Sequence, residues 1–105
     1  MNSAKRVNNK QELINLILTN KDSIKNYGVT KMGLFGSFVR DEAKPDSDVD
    51  LLVEMPAERK TSKNFLGLIY YLEEITGRAV TVATPQGLSP YIGPHILKEL
   101  ENVIS

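Results

Sequence analysis

The chain has no cysteine in its 105 residues, which excludes a disulfide framework and any thiolate metal site. It also lacks an excess of either charge: 13 basic and 13 acidic side chains leave a formal net charge of zero. A dedicated nucleic-acid binder carries a clear basic surplus, so this balance argues against direct nucleic-acid binding. No apolar run approaches the ~20 residues that cross a bilayer, so no membrane partner is expected. Met1–Lys10 is polar and lacks the apolar core of a secretory leader. The expected location is the cytoplasm. Histidine is almost missing: His95 is the sole one, and its place after Pro94 reads as a surface position rather than a ligand.

What remains is ordinary for a globular chain, with 41% hydrophobic and 25% charged residues. The length suits one core, and no internal repeat or linker divides it. Residues 1–9 read as a polar tail and residues 10–105 as a single domain. From Lys10 a helical period places Leu13, Ile14, Leu16, Ile17 and Ile24 on one stripe, with Gly28 as its cap. Val29–Phe35 reads as a strand. Gly36-Ser37 breaks it, and Ser37–Ala43 is expected to form a short helix. After the turn cluster Lys44-Pro45-Asp46-Ser47, residues 48–55 read as a second strand. Its alternation puts Val49, Leu51 and Val53 on one face and Asp48, Asp50 and Leu52 on the other. Thr61 or Ser62 caps a helix to about Thr76, with Phe65, Leu68, Ile69, Leu72 and Ile75 buried and Gly77 as its stop. Residues 78–84 are a third strand. Pro94 opens a last helix, with Ile96, Leu97, Leu100 and Val103 or Ile104 inward. Alternating helices and strands define an α/β or α+β class, a small sheet backed by helices.

Two short patterns carry the chemistry. Gly36-Ser37 follows a strand and precedes the expected helix, so its N–H groups and hydroxyl suit phosphate oxygens. Gly36 has no side chain to hold a phosphate away. Ten residues further on stand Asp48 and Asp50, two carboxylates on one face of a strand otherwise made of Val and Leu. Aspartate is disfavoured in strands, and neighbouring carboxylates repel unless a cation lies between them. Mg²⁺ accepts one or two protein carboxylates together with substrate phosphates. At ordinary residue frequencies the combined spacing arises by chance in about one chain of this length in a thousand. Arg40, one helical turn beyond the Gly-Ser pair, is a candidate phosphate contact. Arg59, Lys60 and Lys63 read as a solvated basic cluster, and Tyr70 and Tyr71 as one packed and one exposed helix residue.

Gly36-Ser37-x10-Asp48-x-Asp50, within GLFGSFVRDEAKPDSDVDLLVE, resembles the minimal nucleotidyltransferase family of the polymerase β-like superfamily. GRAVTVATPQGLSPYIGPHIL, Gly77 to Leu97, is similar to that family's third strand and C-terminal helix. The resemblance implies a small mixed β-sheet flanked by helices, the nucleotidyltransferase fold. It implies that Gly36 and Ser37 hold the β- and γ-phosphates of ATP, with Arg40 beside them, and that Asp48 and Asp50 bind Mg²⁺ as the catalytic carboxylates. Many members are antitoxins that transfer AMP to a tyrosine of a partner ribonuclease toxin of the HEPN class. Such a partner is the one implied here; homo- and hetero-oligomers both stay open.

The pattern breaks at one place. The family usually has a third carboxylate on the third strand, where this chain reads Val80-Thr81-Val82. A threonine hydroxyl brings no charge and is a poor Mg²⁺ ligand. No acidic residue lies anywhere between Gly77 and Pro94, so the absence does not depend on register. Three expectations follow: a slow enzyme, an enzyme using another carboxylate such as Glu54, Glu73 or Glu74, or a nucleotide-binding module that neutralises its partner by contact alone.

Overall fold

The computed structural model describes residues 6–105. Helix α1, Lys10–Thr19, starts where the Asn9 side chain accepts the Glu12 N–H, an N-cap that satisfies one orphan donor of the first turn. The expected single helix is divided at Asn20, and α2 covers Lys21–Asn26. The Asn20 side-chain amide donates to the Leu16 carbonyl, and its oxygen accepts the Tyr71 hydroxyl. An asparagine that competes for backbone partners in this way interrupts a helix. Gly28 follows at φ +101°, as its capping role requires.

Strand β1, Lys31–Phe35, and strand β2, Val49–Glu54, pair antiparallel with Phe35 opposite Asp50 and Leu34 opposite Leu51. Helix α3, Ser62–Thr76, is capped by Thr61 and stopped by Gly77 at φ +70°, both as expected. Strand β3, Val80–Ala83, runs parallel to β2 and places Thr81 beside Asp50. Two short 3-10 turns, Ala57–Arg59 and Pro85–Gly87, link these elements. The sheet is therefore mixed and flanked by helices, as the family resemblance implies.

Other expectations fail at the segment after Gly36 and at the end of the chain. The residues after Gly36 form successive turns to Asp41 and no helix. Positive φ at Gly36 (+77°) and Asp41 (+56°) brackets the segment, and Phe38 is drawn into the core between them. Two left-handed residues so close together cannot lie in one helix. At the other end, the last helix, α4, ends at Glu99. Leu100 turns the chain extended, and Glu101–Ile104 becomes strand β4, antiparallel to β1. The β-branched pair Val103-Ile104 favours a strand, and β1 offers it an open edge. Leu97, expected to face inward, is exposed, whereas Ile104 is fully buried through the strand.

The final strand order is β3-β2-β1-β4. Alternation sorts the side chains. Met32, Leu34, Val49, Leu51 and Val53 face the helices and pack on Leu13, Ile17, Ile24, Leu68 and Leu72. Asp50 belongs to the opposite face. Of the expected polar tail over residues 1–9, residues 1–5 lie outside the described residues. Val7 is buried, and its N–H donates to the Thr76 carbonyl at 3.0 Å.

Arg78, 6% exposed, sits between α3 and β3. Its Nε donates to the Val7 carbonyl at 2.6 Å, and its Nη1 donates to the carbonyls of Ser47 at 2.8 Å and Lys44 at 3.0 Å. The guanidinium also lies 5.0 Å from the centre of the Phe38 ring, within cation–π range. Burial, with Arg6 nearby, pulls its pKa down, yet a guanidinium keeps its charge. We expect Arg78→Ala to destabilise the chain by ~3 kcal/mol in urea denaturation, because several carbonyls lose a charged donor at once. Arg78→Lys should recover only part of that, since an ammonium lacks the planar fork.

Candidate active site

The site gathers at the end of β1, the start of β2 and the end of α4. β1 ends on Gly36, whose left-handed φ only glycine adopts without strain. A Cβ there would lie 2.2 Å from Oδ2 of Asp50. The Gly-Ser turn and the Asp-x-Asp strand, twelve residues apart in sequence, are thus in direct contact. Ser37 is half-buried beside them, and Asp48 is exposed at the mouth of β2. Because no helix follows Ser37, no helix dipole acts at this turn.

Burial pushes the Asp50 carboxyl above its usual range, and the charges of Asp48 and Glu99 push it further; Arg40 pulls the other way. A half-buried carboxylate crowded by two more, with a single guanidinium as counter-charge, is a site short of positive charge. Asp48 and Asp50 fit a divalent cation on that ground. Hard oxygen ligands suit Mg²⁺, which completes its shell with water and phosphate oxygens. Among the described residues, no group of three or more His, Cys, Asp or Glu side chains is arranged to hold a metal.

Thr81 stands in register with Asp50 on the neighbouring strand and is exposed. The position facing Asp50 therefore carries a hydroxyl where a third carboxylate would complete the set. Glu73 accepts the Val80 N–H at 3.2 Å and so is held at the start of β3. Glu54 ends β2 opposite Lys31, and Glu74 is exposed on α3. Among the described residues the charges that act on Asp50 are those of Asp48, Arg40 and Glu99, and Glu54, Glu73 and Glu74 are not among them.

One acidic residue of the site escaped sequence reasoning. Oε2 of Glu99 accepts the Gly36 N–H at 2.7 Å, and its Oε1 accepts Nη1 of Arg40 at 2.8 Å. The Gly36 N–H that sequence assigns to phosphate is thus engaged by Glu99. The Gly36 N–H, followed by the Arg40 guanidinium, holds the Glu99 carboxyl below its usual range. Arg40 also donates through Nε to Glu42 at 2.8 Å. The Glu99–Gly36 bond spans 63 residues. A glutamate at the end of a charged helix gives no local sign of it.

Residues 16–102 match the model of the nucleotidyltransferase domain family. The chain is 35% identical over 91 residues to the protein adenylyltransferase MntA of Thermococcus cleftensis, covering 86% of this chain and 91% of that one. A solved structure described as a candidate minimal nucleotidyltransferase superposes with a TM-score of 0.77 at 29% identity, over 89% of this chain and 94% of that one. A toxin–antitoxin crystal structure with AMP-PNP shares the fold, with a TM-score of 0.63 at 18% identity over 90% and 72% of the two chains. The chain belongs to the nucleotidyltransferase domain family.

The pH response of the empty site follows from Asp50. Its pKa is raised on folding, so its contribution to stability is full below the ordinary carboxylate pKa of about 4 and is lost as pH rises through the higher folded value. Asp50→Asn should therefore melt above wild type at neutral pH in metal-free buffer, and the gap should close toward pH 4. Scanning calorimetry across that range checks the sign.

Proposed function

We propose that the chain is an Mg²⁺-dependent protein adenylyltransferase that acts as an antitoxin, moving AMP from ATP to a tyrosine hydroxyl on a HEPN-type ribonuclease partner. The observation that carries this is the contact of Asp50 with the Gly36 turn. It brings a carboxylate short of positive charge against a turn suited to phosphate. The names of the relatives support the partner class: one is a protein adenylyltransferase, and one structural neighbour is a toxin–antitoxin complex holding an ATP analogue. In the reaction the tyrosine oxygen forms a bond to the α-phosphorus and gives up its proton to solvent, the bond from the α-phosphorus to the bridging β-phosphate oxygen breaks, and pyrophosphate leaves. Asp48 and Asp50 hold Mg²⁺, which supplies charge stabilisation at the phosphate oxygens. Ser37 and Arg40 orient the β- and γ-phosphates. Gly36 keeps the approach open.

A second reading rests on Thr81. A site lacking the carboxylate beside Asp50 is suited to binding a nucleotide more than to activating an acceptor hydroxyl. The protein would then neutralise its partner by contact. Both readings can be separated with radiolabelled ATP, Mg²⁺ and the purified toxin. Transfer of label to the toxin is expected from wild type, with Asp50→Asn slower by about 10²–10³-fold, the usual cost of losing a transition-state charge stabiliser. Absence of label, with neutralisation intact in the Asp48→Asn/Asp50→Asn double variant, would favour the binding module.

Restoring the carboxylate gives an independent check. Thr81→Asp places it in register with Asp50 and should raise the transfer rate by about 10–10²-fold. A rate equal to wild type would mean that this position limits nothing.

A further inference from the structure

We infer that Glu99 is a positioning residue of this site, fixing the Gly36 turn and the Arg40 guanidinium where the terminal phosphates of the nucleotide meet them; this rests on the nucleotide-transfer reading above. Both carboxylate oxygens are committed, one to the Gly36 N–H at 2.7 Å and one to Arg40 at 2.8 Å. Charge-assisted bonds of this length are about twice as strong as neutral ones. The Gly36 N–H is taken up by Glu99 itself, so what the pair of bonds leaves to a phosphate is the set direction of the turn and the remaining N–H groups of Arg40. The Gly36 bond sets the direction of a turn that carries no side chain of its own. The Arg40 bond holds a long cation that would otherwise sample many rotamers.

The carboxylate is itself anchored. Glu99 closes α4, and Leu100 and β4 follow at once. Leu100 packs over Gly33, where a Cβ would come within 2.7 Å of its Cδ1, and Glu101 pairs with Leu34 of β1. Glu99 thus approaches Gly36 from an element bonded to the same strand that delivers Gly36. Its reach is fixed by the sheet.

The strand order also says what Glu99 is not. β2 has β3 on one side and β1, then β4, on the other. Thr81 flanks Asp50 from the β3 side, whereas Glu99 arrives from beyond β1. It cannot occupy the position of the third carboxylate. A negative charge beside a triphosphate site opposes anion binding, so its gain must be geometric. Arg40 has five N–H donors, and among the described residues its acceptors are Glu42 at Nε and Glu99 at Nη1. It can hold Glu99 and a phosphate together.

The test is titration of the Mg²⁺ complex of a non-hydrolysable ATP analogue into wild type, Glu99→Ala, Glu99→Gln, Arg40→Ala and the Glu99→Ala/Arg40→Ala double variant. Folding is checked by circular dichroism, and the Gly36 amide is followed by hydrogen exchange. Glu99→Ala should weaken binding about tenfold or more and deprotect the Gly36 amide. Glu99→Gln keeps one acceptor oxygen and turns an NH2 donor toward the other partner, so it should also weaken binding, by no more than Glu99→Ala, with Gly36 protection partly retained. On the Arg40→Ala background, the loss from Glu99→Ala should shrink, since part of its action runs through that side chain. Tighter binding in either Glu99 variant would show the carboxylate to be a competitor of phosphate and overturn the inference. So would wild-type affinity in Glu99→Ala. Wild type that binds no nucleotide while Glu99 still protects the Gly36 amide would instead remove the nucleotide reading, and the role of Glu99 with it.

Discussion

The guanidinium of Arg78 lies where three separate segments meet, and hydrogen bonds to main-chain carbonyls tie it to two of them. One is at Val7, ahead of α1; the others are at Lys44 and Ser47, in the turn that delivers Asp48. The Phe38 ring, from the turn after Gly36, lies within reach of the same cation. Backbone carbonyls buried without donors are costly, and loop segments of this kind have no ladder to satisfy them. One charged group with a planar array of donors meets that need at several points. The segments that flank the candidate site, the turn after Gly36 and the turn before Asp48, both meet this residue.

In front of Arg78 the charge balance is reversed. Asp48, Asp50 and Glu99 surround a turn that has Arg40 as counter-charge, and Asp50 is partly withdrawn from water. Such an arrangement is unfavourable in the absence of bound cation, and it persists because the surrounding packing over-determines it. Strain and unpaired charge concentrated in one place, while the core of Val, Leu and Ile obeys simple alternation, is how functional sites depart from otherwise consistent sequences. The fold thus keeps Asp48 and Asp50 close together with little positive charge to offset them.

The parts legible in the sequence were those fixed by short-range chemistry. Thr61 and Gly77 bound α3 because capping depends on a few neighbouring residues. Val49, Leu51 and Val53 face the core because strand alternation is strict. The position of Thr81 beside Asp50 followed from family resemblance and is matched by the parallel register. The parts that escaped depend on distant partners. The β-branched Val103 and Ile104 lean toward a strand, but nothing local in Glu-Leu-Glu-Asn marks where the helix gives way, because the edge of β1 that captures them lies about seventy residues earlier. The turn after Gly36 reads as a helix until the burial of Phe38 and the left-handed Asp41 are known. Glu99 and Arg78 look like solvated charges for the same reason: their partners are remote in sequence.

The placement of β4 beside β1 has a consequence for how the site comes into being. When a ribosome has extruded β1, β2 and β3, the Gly36 turn and Asp50 already exist, but the Gly36 N–H has no carboxylate and one edge of β1 has no neighbour. Both are supplied by the segment from Glu99 to Ile104. Closing so long a loop is an entropic cost met only when the late contacts form. The candidate site is therefore among the last features to be assembled during synthesis, and a nascent chain stalled before Glu99 would carry the Gly-Ser and Asp-x-Asp residues without the carboxylate that joins the Gly36 turn to Arg40.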